Sequence, residues 1–289
     1  MFKSLTADVT AAVTVNTDFA ETEADARQVN LTRFPLFFPE KRAFFQEATG
    51  VFDVAGLSGG RRDLIPFFTR RIGLGEDQNG NVEVPIAVGA KVVGHPSNYN
   101  FGLIDVQTRD ITGNPLTGQN LFALRASRNL LRQSWVGAIL THGNPSGTGD
   151  NTLMGADARL ATSTFRGGKN LSLDLYLLRT TAGGRTDHAG GFAIDYPNDL
   201  WDTALTFKQI GDQFEPALGF VPRVGIRKTT LGVEYKPRPH GMGIRQFFFE
   251  FRPEYITNLE NRVENWRIFT APFNVRTESA EHLDRKSVV

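Results

Sequence analysis

Apolar residues recur at every second position along most of this chain, and that period limits the fold more than any other feature. From Ser4 to Val15, Leu5, Ala7, Val9, Ala11, Val13 and Val15 share one face, with Thr6, Asp8, Thr10 and Thr14 on the other. Leu171, Leu173, Leu175 and Leu177 alternate in the same way with Ser172, Asp174 and Tyr176. A helix would scatter such residues around its circumference, whereas a strand gathers them on one side. Further runs of this kind cover Leu64–Leu74, Val82–Val93, Tyr99–Thr108, Asn120–Arg132, Ser134–Thr141, Thr152–Thr162, His188–Tyr196, Leu200–Ile210, Ile226–Tyr235, Ile244–Arg252 and Asn265–Thr270. The chain therefore reads as all-β, with about a dozen strands near the roughly 9–11 residues that a tilted strand needs to cross a bilayer.

The polar face of these strands decides between two all-β classes. In a soluble sandwich it is solvated and freely charged. Here it is mostly Thr, Ser, Gly and Asn with occasional charges, as a water-filled lumen requires. Pro197-Asn198-Asp199 reads as a tight turn. Glu76–Asn81, Ile111–Gln119, His142–Asn151 and Thr181–Asp187 read as longer loops. Short turns alternating with long loops complete the expectation of an antiparallel up-and-down transmembrane β-barrel. No apolar run approaches the roughly 20 residues of a membrane helix, which a barrel does not need. On this reading Val84, Ile86 and Val88 join the four leucines in one outward belt.

Composition removes several chemistries. There are no cysteines, so thiolate metal sites, disulfides and cysteine nucleophiles are excluded. A net charge of +1, with acids and bases interleaved, gives no basic face for nucleic acid. Gly56-Leu57-Ser58-Gly59-Gly60 fits the G-x-S-x-G pattern, but no helix pattern follows it as a nucleophile elbow demands. None of the histidines at 95, 142, 188, 240 and 282 lies at metal-binding spacing from another. No catalytic residue is assigned.

One stretch, Asn16–Glu47, departs from the alternation. Asp18, Glu21, Glu23 and Asp25 concentrate hard oxygen ligands, which reads first as a solvated acidic turn and second as a Ca²⁺ site. No other cofactor is implied. Phe37-Phe38-Pro39 then leads into Glu40, Lys41 and Arg42, followed by Phe44-Phe45. Charges beside aromatic pairs suit a segment folded into a polar lumen, or a turn at a membrane interface. Phe44–Val51 has room for one helical turn between Pro39 and Gly50. Arg61, Arg62, Arg70 and Arg71 form the one basic concentration, suited to a lumen lining or to pairing with acids such as Glu40 or Glu83.

The residues of Asn16–Glu47 resemble a bacterial family of unknown function whose members look like outer-membrane β-barrels. The likeness rests on Asn16, Asp18, Phe19, Glu23, Asp25, Val29–Phe34, Leu36–Arg42, Phe44 and Phe45. Pro66–Leu74, Gly89-Ala90-Lys91, Gly211-Asp212 and Phe214–Arg223 add to it. Members commonly carry the barrel behind a domain similar to carbohydrate-binding family 9, which has no counterpart in these residues. The resemblance implies a bacterial outer-membrane location, lipid as the surrounding partner, and a carbohydrate or small solute as a further one. It also implies a partial barrel over 1–275, a turn and lumenal segment over 16–47, and a charged, disordered tail outside the family pattern over 276–289. The expected function is transport or a surface platform. The alternative is a soluble all-β carbohydrate-active enzyme or binding module, for which Asp195, Asp199, Asp202 and Asp212 are the nearest carboxylates.

Overall fold

The structure is a computed structural model that describes residues 2–16, 34–47, 49–58, 63–77, 80–114, 116–147, 149–239, 243–279 and 282–288. Its regular structure is almost all strand. The strands are β1 (Phe2–Thr6), β2 (Val9–Val15), β3 (Leu74–Asp77), β4 (Gly80–Glu83), β5 (Ile86–Gly94), β6 (Tyr99–Thr108), β7 (Asn120–Asn129), β8 (Trp135–His142), β9 (Asn151–Phe165), β10 (Lys169–Ala182), β11 (Arg185–Pro197), β12 (Trp201–Ile210), β13 (Ile226–Tyr235), β14 (Ile244–Asn258), β15 (Val263–Thr277) and β16 (His282–Val288). The hydrogen-bonded order is β1-β2-β5 and then each strand in turn to β16, with β3-β4 as a separate hairpin. Pairing is antiparallel from β1 to β8 and from β11 to β16. Among the described residues β1 pairs only with β2 and β16 only with β15, so the order has two ends and no closed barrel is present.

Two compact units divide the chain. One comprises Met1–Ala158, Tyr176–His188 and Gln213–Val224; the other comprises Arg159–Leu175, Ala189–Asp212 and Gly225–Val289. The loop Gln213–Val224 belongs to the first unit, although β12 and β13 on either side of it belong to the second.

The structure departs from the alternation pattern where turn chemistry intervenes. Ser4–Val15 is not one strand, because Ala7-Asp8 turn the chain into the β1–β2 hairpin, with Thr6 opposite Val9. Val82–Val93 is interrupted at Pro85, which has no N–H to give a ladder, and splits into β4 and β5. Of Leu64–Leu74, only Leu74 lies in a strand, as the first residue of β3. Leu64, Ile65 and Phe67 are all buried, so both sides of the backbone are packed and period two loses its meaning there. Thr181–Asp187 is no long loop either: Gly183 and Gly184 take positive φ angles of 53° and 79° and close a two-residue hairpin between β10 and β11. In the 276–289 tail, His282–Val288 pair along β15 as β16, satisfying part of the edge that β15 would otherwise leave open.

Burial follows the faces unequally. On β10, Ser172, Asp174 and Tyr176 are buried, while Leu175 and Leu177 are 40% and 62% exposed. Val88 is exposed as well, but Val84 and Ile86 are buried at 2% and 1% and do not join that belt. The register shifts between Ile86 and Val88, which moves Ile86 to the opposite face, and Val84 precedes the strand.

Candidate functional site

In the first unit, non-strand segments lie against one side of the sheet, where Val93, Ile104, Val106, Leu121 and Ile139 are buried, and a few polar sheet side chains hold them by their main chain. The segments are residues 34–47, with the single-turn helix α1 (Ala43–Gln46), then residues 49–58 and 63–73, and the loop 213–224. Their apolar side chains make up much of the core of this unit: Phe44, Phe45, Phe52, Val54, Leu64, Phe67, Ile72, Phe214 and Leu218 are all buried.

Arg42 organises the first segment. Its Nε donates to Glu40 Oε1 at 2.9 Å and its Nη2 to Oε2 at 2.7 Å, a forked ion pair. The remaining donors reach the carbonyls of Ile72 at 2.8 Å and Thr69 at 2.9 Å. The guanidinium also stacks 4.1 Å from the Phe45 ring centroid. Burial works to raise the Glu40 carboxyl, but hydrogen bonds and charge from Arg42 together outweigh it and hold the group below its ordinary value. Glu40 also accepts the N–H groups of Lys41 and Arg42. Lys41 itself is half-buried.

Five side chains on the sheet complete the clasp. Lys91 on β5, 3% exposed, donates to the carbonyls of Phe44 at 2.6 Å and Glu47 at 2.7 Å. Those carbonyls lie in and just after α1. Arg125 on β7 and Asp157 on β9 form a buried fork of 2.6 and 2.8 Å. Arg125 Nε donates to the Asp53 carbonyl at 3.1 Å, and Asp157 accepts the Ala55 N–H at 2.7 Å. Ala55 has a φ of 49°, a left-handed conformation that an alanine keeps only under restraint. Asn151 on β9 donates to the Glu215 carbonyl at 2.8 Å and accepts the Ala217 N–H at 3.1 Å. Thr180 on β10 accepts the Glu215 N–H at 3.2 Å.

The early segments and the 213–224 loop are also bonded to each other. Ile65 and Phe220 exchange N–H···O bonds of 2.8 Å as an antiparallel bridge, and Phe68 N–H donates to the Leu218 carbonyl at 2.7 Å. Phe37, Phe68 and Phe220 pack their rings with centroids 5.0 to 5.9 Å apart. Arg71 donates to the Ala217 carbonyl at 3.2 Å. Burial lowers the Arg71 guanidinium, against the charges of Glu76 and Glu215. Arg70 donates to the Pro39 carbonyl at 3.1 Å.

The structure thus brings Glu40, Arg42, Arg70 and Arg71 into one assembly. Glu40 pairs with Arg42. Arg61, Arg62, Asp18, Glu21, Glu23 and Asp25 lie outside the described residues. Among the described residues no group of three or more His, Asp or Glu side chains gathers around a point that could hold a metal ion. Asp202 is bonded to Lys236 at 3.0 Å, and Asp199 pairs with Arg238. Arg125, Asn151, Asp157 and Thr180 were not singled out by sequence reasoning, and Lys91 entered only through Gly89-Ala90-Lys91 of the family resemblance. A usable signal existed: Lys91 and Arg125 are lone charges on strand faces that also carry Gly or Ala, where a large head group finds room. Gly137 shows it, since an added Cβ there would lie 2.5 Å from the Arg125 guanidinium.

Residues 4–101, about a third of the chain, match the model of a family described as a domain of unknown function, DUF5916. No curated protein and no solved structure matches the chain.

Proposed function

We propose that this chain is an outer-membrane β-barrel protein that lies in lipid and serves transport or a surface platform, without catalysis. The observation that carries this reading is the inverted sheet of the second unit. Cross-strand register puts Trp201, Leu205 and Phe207 of β12 on one face with Leu231, Val233 and Tyr235 of β13. Phe249, Phe251 and Tyr255 of β14, and Trp266 and Ile268 of β15, continue that face. The opposite face carries the charges. Lys228 pairs with Glu254 at 3.1 Å, Lys236 with Asp202 at 3.0 Å and Arg252 with Glu234 at 2.8 Å.

Exposure runs against what water favours. Trp201, Phe251, Tyr255 and Trp266 are 45%, 45%, 46% and 53% exposed, while Lys228 and Glu254 are buried at 7% and 8%. Fully burying a large apolar side chain is worth roughly 1.5–3 kcal/mol, so an aromatic face of this extent in water forgoes several kcal/mol. Lipid removes that cost.

The aromatic rings also fall at two levels. Trp201, Tyr235 and Phe249 are directly opposite one another, with the Trp201 and Tyr235 ring centroids 4.5 Å apart. Tyr255 and Trp266 are opposite each other and level with Thr229. From Tyr235 to Thr229 is six residues, or about 20 Å along a strand. Aromatic girdles flanking an apolar band of about 25 Å mark barrel proteins.

Migration on denaturing gels tests the proposal. Chain taken from an outer-membrane fraction without boiling should run at a different position from boiled chain, because a folded barrel resists the detergent. Recovery as a monodisperse soluble protein without detergent would overturn it and favour the soluble all-β alternative.

A further inference from the structure

Transport and a surface platform make different demands on the side of the sheet that the segments cover, and the clasp in the first unit bears on the choice. A solute route needs that side open or easily opened. Here it is occupied by this chain's own segments. They are not merely packed there: Lys91, Arg125, Asp157, Asn151 and Thr180 all direct polar groups at segment main chain. The Arg125 and Asp157 side chains are 3% and 0% exposed. The fit is close as well. A Cβ added at Gly102 on β6 would come within 2.8 Å of the Phe52 ring, and one at Gly89 on β5 within 3.4 Å of the Phe44 ring. The segments are also tied across the sequence, because the Ile65–Phe220 bridge joins the early segment to the β12–β13 loop.

We infer that these segments form a built-in closure, clasped permanently by the sheet, so that the first unit acts as a sealed membrane anchor rather than a solute route. This rests on the membrane reading above and takes its platform branch. Removing the early segment requires breaking the Lys91 bonds, the two links at Arg125–Asp157 and the bridge to 213–224 together. The bonds at Asn151 and Thr180 hold the partner loop independently. A removable plug would meet the sheet through exposed, water-exchangeable contacts instead.

Cysteine labelling tests the inference cleanly, because the chain has no cysteine of its own. Val54→Cys and, separately, Leu218→Cys report the two halves of the closure, both positions being buried at 0% and 1%. Ser163→Cys, exposed in β9, is the reference. In protein reconstituted into phosphatidylcholine vesicles, a small maleimide should label Val54→Cys and Leu218→Cys far more slowly than Ser163→Cys. Adding Asp157→Asn should accelerate labelling at Val54→Cys by about a hundredfold or more, the factor expected when a buried ion pair loses one partner. Lys91→Met should act in the same direction and serves if the first variant does not fold. The unmodified chain should add no steady conductance to a planar bilayer. Labelling of Val54→Cys as fast as Ser163→Cys, or a sustained conductance from the unmodified chain, would overturn the closure. Absence of quenching of Trp201 and Trp266 by lipid-borne quenchers would instead remove the membrane reading while leaving the labelling result to stand as a statement about packing.

Discussion

Replacing Asp157 by Asn should be among the most destabilising single changes in the first unit. The carboxylate accepts Arg125 Nη1 at 2.6 Å, Arg125 Nη2 at 2.8 Å and the Ala55 N–H at 2.7 Å, and is fully buried. The amide keeps the shape but leaves the guanidinium charge without its counter-charge in a dry site. Breaking such a pair from one side costs about 3–5 kcal/mol. Removing both charges as Arg125→Met with Asp157→Leu should cost less. The charge penalty disappears, and what remains is chiefly the Ala55 N–H, for which the loss is about 1–3 kcal/mol. A cycle of the two single variants and the pair should therefore show a favourable coupling of about 2 kcal/mol or more. Urea unfolding of the reconstituted chain measures it. Trp135 is a local probe, since the Arg125 guanidinium lies 5.6 Å from its ring centroid. A cost below about 1 kcal/mol for Asp157→Asn, or a double variant as unstable as the sum of the singles, would refute the argument that a buried ion pair holds the inner segment.

Three further outcomes are expected. Glu40 titrates below its ordinary value in the folded chain, so its contribution to stability is present above the unfolded value near 4.3 and is lost as pH falls through the folded one; Glu40→Gln should flatten that part of an acid-unfolding curve, and an unchanged curve would contradict it. Gly102→Ala forces a Cβ to within 2.8 Å of the Phe52 ring and 2.9 Å of Val51, and should cost about 1–3 kcal/mol by overpacking, read as a lower urea midpoint. Phe251→Arg, on the exposed aromatic face opposite Val233, should cost about 2–4 kcal/mol in a bilayer but at most about 0.5 kcal/mol if that face met water, so folding in vesicles separates the cases.

The sequence showed the strand class and many of the strand positions, because period two is a local property that survives in any single strand. β6 with β7 and β11 with β12 lie close to where the alternation puts them. It failed where the decisive residue was a turn former or a packed segment. Asp8, Pro85 and the Gly183-Gly184 pair divide or join runs that the alternation alone reads differently. Leu64, Ile65 and Phe67 are packed on both sides of the backbone, which only tertiary structure decides. The site was legible in part. Glu40 and Arg42 stood out as charges among aromatics, and two positions apart they close on each other. Lys91, Arg125 and Asp157 looked like ordinary polar-face residues. Their partners are main-chain groups 44, 72 and 102 positions away, and no spacing in the sequence encodes those distances.

Quenching of single tryptophans tests the central claim most directly. Variants keeping only Trp201 or only Trp266, reconstituted into vesicles, would be exposed to lipids brominated at chosen depths and, separately, to aqueous iodide. The account predicts strong quenching by brominated lipid at shallow depth for both residues, and weak quenching by iodide. Strong iodide quenching of both, with no response to brominated lipid, would place the aromatic face in water and contradict a membrane-embedded sheet.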